Sequence, residues 1–200
     1  MKNNLLRIYC LLFFIVTSSF KFISEKTIQD FALQNVNGQI VSTKDYKNAK
    51  GFIVIFTCNH CPFAKLYTQR MNELNTKFSK LNVPLLAINS MDTLVYEDET
   101  FAFMKQKAKI DKFNFPYLQD ATQSIGRIFQ AEHTPMAYVI WKEKKEWIIK
   151  YKGSIDNNGE HPNLAKPYLS NAVNELLANK EVSLKQSESF GCRIFYRKKS

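Results

Sequence analysis

Apolar residues along the chain fall into two rhythms, and each predicts a kind of element. Gly51 to Thr57 (GFIVIFT) is an unbroken run of β-branched and aromatic residues, which predicts a strand buried on both faces. Beyond it, Phe63, Tyr67, Met71, Leu74, Phe78 and Leu81 recur every three or four residues, the buried stripe of an amphipathic helix. Val83 to Asn89 predicts a second buried strand, with Pro84 near its start, where a missing N–H is tolerated. Upstream, Asp30 to Val41 sets short apolar runs on either side of Asn37-Gly38 and predicts a hairpin, while residues 24–30 read as a weakly structured lead-in. Downstream, Phe101, Met104 and Ala108 predict a helix within Tyr96–Ala108, Pro116 keeps Phe115–Tyr117 extended, and Ala121–Phe129 suits a short helix. Met136–Lys142 and Glu146–Tyr151 are strands joined by a charged turn. Leu169, Ala172, Val173, Leu176 and Leu177 place a last helix at Pro167–Ala178, and Phe190–Tyr196 has the character of a final strand.

This order predicts an α/β fold, a central mixed sheet flanked by helices, with no internal repeat. At 200 residues the chain suits one domain, expected over residues 21–180, with a tail at 181–200. Hydrophobic residues at 45% and charged residues at 23% exclude a disordered, collagen-like or multi-span membrane protein. The formal net charge of +10 raises the question of a nucleic-acid or anionic-membrane partner. The basic residues are spread along the chain, however, and the only cluster, Arg193 with Arg197, Lys198 and Lys199, has no nucleic-acid-binding motif beside it. A lysine-rich solvated surface and no nucleic-acid partner is the reading carried forward.

Residues 1–20 have the parts of a secretory signal peptide: basic Lys2 and Arg7, the apolar run Ile8–Val16, and small Thr17, Ser18 and Ser19. The run is too short to span a bilayer comfortably, so a periplasmic or secreted location is expected, with an uncleaved membrane anchor as the alternative. Cys10 follows Arg7-Ile8-Tyr9 and lacks the small residues of a lipidation site. In an exported protein, every remaining thiol asks for a reason.

Three cysteines remain, Cys58, Cys61 and Cys192, and the first two form a C-x-x-C where the buried strand hands over to the helix. There, backbone N–H groups and the helix dipole stabilise a thiolate, and two intervening residues let the sulfurs bridge. Cys58, at the tip, is expected to attack and Cys61 to resolve the mixed disulfide. His60, if charged, favours the thiolate and makes the disulfide more oxidising, whereas a His60 turned to solvent does little. A zinc site would need two further ligands, and His133, His161 and Cys192 stand at no zinc-like spacing, so no metal is expected. A purely structural bridge remains the other alternative.

Several stretches together resemble the thioredoxin superfamily, and within it the exported redoxin-like, AhpC/TSA-related members. They are FTCNHCPF at 56–63, NFPYLQD at 114–120, HTPMAYVI at 133–140, GSIDN at 153–157 and SFGCRIFY at 189–196. The likeness covers residues 26–198. It implies a thioredoxin-like fold with an insertion around residues 91–120, before the strand that follows a cis-proline. It further implies that Pro135 is cis and packs beside the dithiol, and that the Thr134 backbone binds extended substrate. Two departures stand out. Thioredoxin's buried acid in the strand before the dithiol is missing from Phe52–Phe56, so no negative charge is expected to oppose the thiolate and Cys58 should ionise below about pH 7. The Thr expected three residues before a peroxidatic cysteine is replaced by Cys58 if Cys61-Pro62 takes that role.

The function expected is thiol–disulfide exchange through Cys58 and Cys61 with His60, Thr134 and Pro135 around them, needing no cofactor. The partners would be protein or small-molecule thiols and disulfides and a redox donor. A thiol-dependent peroxidase and a redox-inert peptide-binding module are the alternatives. Cys192 stays open between a third redox thiol and an inert packing residue.

Overall fold

The computed structural model describes residues 26–198, so the signal-peptide reading of residues 1–20 lies outside it. Strand β1 (Thr27–Ile28) is followed by the hairpin β2 (Ala32–Asn35) and β3 (Ile40–Ser42), then by β4 (Gly51–Phe56). Helices α1 (Pro62–Lys65) and α2 (Thr68–Phe78) lead to β5 (Leu85–Asn89), α3 (Phe101–Ile110), β6 (Tyr117–Gln119) and α4 (Ser124–Phe129). The chain closes with β7 (His133–Thr134), β8 (Met136–Glu143), β9 (Glu146–Gly153), α5 (Tyr168–Leu177) and β10 (Cys192–Arg193).

Eight strands form one sheet in the order β1-β9-β8-β4-β5-β6-β2-β3, and β7 pairs with β10 in a separate ribbon. β4, β5 and β6 run parallel, while β8 meets β4 antiparallel. Mixed pairing of this kind is what the sequence predicts. The predicted central strand is indeed central: all six residues of β4 are buried. Its side chains alternate between two cores. Phe52, Val54 and Phe56 join Leu86, Ile88, Tyr138 and Phe129 on one face. Ile53 and Ile55 join Met71, Leu74, Phe78, Leu169, Val173 and Leu176 from α2 and α5 on the other. The Asn37-Gly38 hairpin forms as expected, with Gly38 at φ +88° supplying the turn.

Four elements differ from expectation. Residues 27 and 28 of the supposed lead-in add an edge strand to β9, because Ile28 finds a buried place there. The long helix breaks after Lys65 and restarts at Thr68, which turns Phe63 out of the buried stripe, and Leu81 also stays outside it. A 3-10 turn at Glu97–Glu99 delays α3 to Phe101 and leaves Glu99 buried. The last strand shrinks to two residues, since its partner β7 is equally short.

Downstream of β10 the chain packs into the fold. Ile194 is buried in the first core. The Tyr196 hydroxyl donates to the Ala131 carbonyl at 2.6 Å, and the Arg197 backbone N–H donates to the Gln123 side chain at 2.8 Å. The Arg197 guanidinium donates from Nε and Nη2 to Asp92 Oδ1 at 2.9 and 2.6 Å. That hydrogen bond holds the Asp92 carboxyl below its ordinary range against the opposing effect of burial. A lowered native value stabilises the fold above the unfolded value of about 3.9, and the gain is lost as pH falls through the native value. Replacing Arg197 by Met should therefore cost about 1 kcal/mol at neutral pH after solvent screening. The gap to the parent protein should close as pH falls through the lowered Asp92 value, read from denaturant midpoints; a gap that persists in acid would mean that Arg197 acts by packing alone.

Candidate active site

The site grows from the end of β4. Buried Thr57 and Cys58 follow Phe56 directly, the chain turns at Asn59-His60, and Cys61 is the N-cap of α1. Pro62 takes the first helical position, where its missing N–H costs nothing. The cysteines are free thiols and both are fully buried. The resemblance implied a cis peptide at Thr134–Pro135, and that bond is cis. Thr134 contacts both sulfurs. Its hydroxyl lies 2.9 Å from Cys58 Sγ, and its carbonyl accepts the Cys61 S–H at 3.1 Å.

Thr134 has a third neighbour. Strand β10 runs antiparallel to β7 with Cys192 opposite Thr134 and Arg193 opposite His133. The backbone edge that the resemblance reserves for extended substrate is therefore taken by the chain's own tail. Gly191 makes this approach feasible: at φ +152° it lies so close that a Cβ would run into the Thr134 carbonyl.

Glu99 is the residue that motif reading missed. Its buried carboxylate accepts from the backbone N–H of Asn59 at 2.9 and 3.0 Å and from that of His60 at 2.9 Å. It also accepts from Asn89 Nδ2 at 2.6 Å and lies 2.5 Å from His60 Nδ1. With the carboxylate as acceptor, Nδ1 carries the imidazole hydrogen. Tyr96 stacks on the His60 ring with centroids 4.2 Å apart, so His60 does not simply face solvent. Tyr117 donates to the Asn59 side chain at 2.9 Å, which ties β6 to the same turn. Glu99 thus supplies, from a separate segment, the buried acid that β4 lacks. In sequence it is one of three consecutive acids, a run that reads as solvated surface.

Its charge changes the electrostatics expected at the dithiol. The Cys58 thiol is pushed strongly upward, first by its hydrogen bond to Cys61, then by burial, then by the Glu99 charge. Cys61 moves downward: the Cys58 thiol donates to it, and the Cys192 thiol and the backbone N–H groups of Ala64 and Cys192 assist against burial. When Cys61 ionises it gives up its bond to the Thr134 carbonyl and keeps these others. These opposite shifts favour ionisation of Cys61 over Cys58. The expectation of a Cys58 thiolate below about pH 7 assumed that no negative charge stands beside the dithiol, and the buried Glu99 carboxylate supplies one.

Cys58 Sγ, a His60 ring nitrogen and a Glu99 oxygen lie within 4.8 Å of one another, the one cluster of metal-ligand type found among the described residues. His133 and His161 are outside it. Both Glu99 oxygens are already engaged by hydrogen-bond donors, so an ion would have to displace them. The arrangement suits proton transfer with Cys58 better than coordination.

On the other side of Pro135 a groove of about 680 Å³ opens, lined by Phe63, Leu66, Ile155 and Phe190 among others. Phe63 and Phe190 are 51% and 67% exposed there. The loop at its floor is pinned by Asp156, which pairs with Arg70 at 2.5 Å and accepts from Tyr67 at 3.1 Å.

A strand-turn-helix dithiol beside a cis-proline on a mixed sheet defines a thioredoxin-fold redoxin. The profile of the AhpC/TSA family matches residues 25–157, and the chain belongs to that family. A Geobacillus kaustophilus structure described as an uncharacterized conserved protein is 31% identical, with 88% of this chain and 93% of that one covered and a TM-score of 0.78. A hypothetical protein of Sinorhizobium meliloti is 26% identical, with coverage of 86% and 94% and again a TM-score of 0.78. The peroxidoxin BcpB of Mycobacterium tuberculosis shares the fold at 13% identity and a TM-score of 0.55, with coverage of 77% and 93%. No match is found among curated proteins.

The electrostatic reading predicts opposite effects for two substitutions. Glu99→Gln removes the charge opposing a thiolate and stabilises the reduced form, so the reduction potential should rise by a few tens of millivolts, about 30 mV being tenfold in equilibrium constant. His60→Ala leaves Glu99 uncompensated, and the potential should fall. Equilibration with glutathione or thioredoxin measures both, and equal shifts of one sign would refute the argument.

Proposed function

We propose that the protein is a thiol–disulfide oxidoreductase acting through the Cys58-Cys61 dithiol in an exported compartment. The observation that carries this reading is the pair of free thiols that both contact Thr134, beside the cis-Pro135. The Cys61 thiolate attacks a substrate disulfide, the substrate S–S bond breaks, and one substrate thiolate leaves. Cys58 then attacks the Cys61 sulfur of the mixed disulfide, passes its proton to the His60–Glu99 pair, and releases the second substrate thiol. The reverse sequence oxidises a substrate dithiol. Roles thus run opposite to the order expected from the motif, because burial and Glu99 weigh on Cys58.

Pro135 and the apolar groove beside it would receive the substrate. Pairing of substrate backbone at Thr134 would require β10 to move aside. Export rests on the reading of residues 1–20; among the described residues no helix is long and apolar enough to cross a membrane. Peroxide reduction is the rival activity. It is disfavoured because the Thr134 hydroxyl faces Cys58 rather than Cys61. The guanidinium groups of Arg70 and Arg197 are also engaged by Asp156 and Asp92.

Four measurements test the reading. Serine at either Cys58 or Cys61 should lower the rate of disulfide exchange at least about 100-fold. Iodoacetamide at about pH 6 should label Cys61 before Cys58; the opposite order would restore the motif-based roles. Peroxide consumption should be slow beside disulfide exchange, and fast saturable turnover that requires Cys61 would make the peroxidase the better answer. Peptide affinity that survives loss of both cysteines, without exchange activity, would favour a binding module.

A further inference from the structure

The tail that occupies the edge of Thr134 brings a thiol with it. Cys192 is in register with the residue whose hydroxyl and carbonyl contact the other two sulfurs at 2.9 and 3.1 Å. Its own carbonyl is 3.5 Å from the Thr134 hydroxyl. The placement is built from both sides. Upstream, the Ser187 backbone N–H donates to the Lys152 carbonyl at 3.1 Å, and the Ser154 N–H donates to the Ser187 hydroxyl at 2.9 Å. Downstream, the Ile194 N–H donates to the Glu132 carbonyl at 2.8 Å, and Tyr196 and Arg197 are held as described. Between these anchors Gly191 is pressed onto the Thr134–Pro135 peptide.

The three thiols differ in exposure. Cys58 and Cys61 are fully buried, whereas Cys192 is half-buried. An external thiol reaching this site meets Cys192 first. We propose that Cys192 is a third redox thiol, which exchanges disulfide partners with Cys61 and connects the buried dithiol to thiols outside.

This inference rests on the dithiol reading above and extends it. From the Cys58–Cys61 disulfide, the Cys192 sulfur attacks Cys61. The Cys58–Cys61 bond breaks, the Cys61–Cys192 bond forms, and the Cys192 proton ends on Cys58, beside the His60–Glu99 pair. No electrons enter or leave in this step. An external thiol then attacks the Cys192 sulfur, forming a mixed disulfide there and releasing Cys61 as its thiolate. A second external thiol attacks the mixed disulfide, leaves as the external disulfide and restores the Cys192 thiol. Two electrons have passed from two external thiols to the protein. In the fully reduced protein, burial and then the neighbouring Cys61 push the Cys192 thiol up to about 12, which keeps it protonated. Oxidation of Cys61 removes the second of these influences, so Cys192 gains reactivity in the state that needs it.

The test uses the full chain and glutathione as the external thiol. In Cys58→Ser, oxidised glutathione should give an intramolecular Cys61–Cys192 disulfide, identified by peptide mass mapping. A product limited to glutathione adducts or dimers overturns the proposal, and this arm leaves the tail unaltered. In Cys192→Ser, the Cys58–Cys61 disulfide should still form but be reduced by glutathione at least tenfold more slowly; an unchanged rate overturns the proposal. Normal exchange in Cys192→Ser sinks this inference alone. A wild-type protein that never forms the Cys58–Cys61 bond sinks the dithiol reading with it.

Discussion

Everything at this site depends on one residue being gripped from three directions. Thr134 gives its hydroxyl to Cys58, its carbonyl to Cys61 and its backbone edge to β10. The three partners come from the strand–helix junction and the tail, segments far apart in the chain. Because β7 is only two residues long, it has no extended ladder to fix its position. These polar contacts and the packing of Ile194 behind them hold it instead. Removing a partner therefore leaves buried polar atoms without compensation, at roughly 1–3 kcal/mol each. Sulfur chemistry and local stability are coupled here through the same few atoms.

Glu99 is the second organising element. An uncompensated carboxylate would be expensive in this interior, and it is tolerated because two backbone N–H groups of the dithiol turn, Asn89 and His60 all point at it. The same donors that shape the turn are thereby withheld from Cys58. A turn whose N–H groups were free would stabilise a thiolate on the first cysteine. Here they already serve an anion, while the second cysteine sits where the helix begins.

Legibility in the sequence followed the range over which each feature is encoded. Gly51–Phe56 and the Tyr67, Met71, Leu74, Phe78 stripe were readable because burial on a sheet or helix imposes its own period. The hairpin expected at Met136–Lys142 and Glu146–Tyr151 was readable for the same reason; Cys58 and Cys61 stood out by residue type and spacing, and Thr134 and Pro135 through the family resemblance. The role of Glu99 was not readable, since nothing in Glu97-Asp98-Glu99 marks which acid turns inward. The closing of β10 over Thr134 was equally hidden. Two residues have no period, and the glycine that allows the approach resembles any loop glycine. The break at Leu66–Tyr67 escaped notice because the spacing of Phe63 fitted the stripe, although the helix beneath it is interrupted.

The way the tail closes the site also bears on the order in which the molecule assembles. The two cysteines of the dithiol are near neighbours in the chain, but Cys58 meets Thr134 across 76 positions and Thr134 meets Cys192 across another 58. The Arg197–Asp92 clasp spans 105. Loop-closure entropy makes such distant contacts late events, while strand–turn–helix units form early. On this ground the dithiol is expected to form before its cover. Large disulfides reach sulfurs that the closed molecule hides only if β10 moves off Thr134, a movement that Ile194, buried next to it in the first core, opposes.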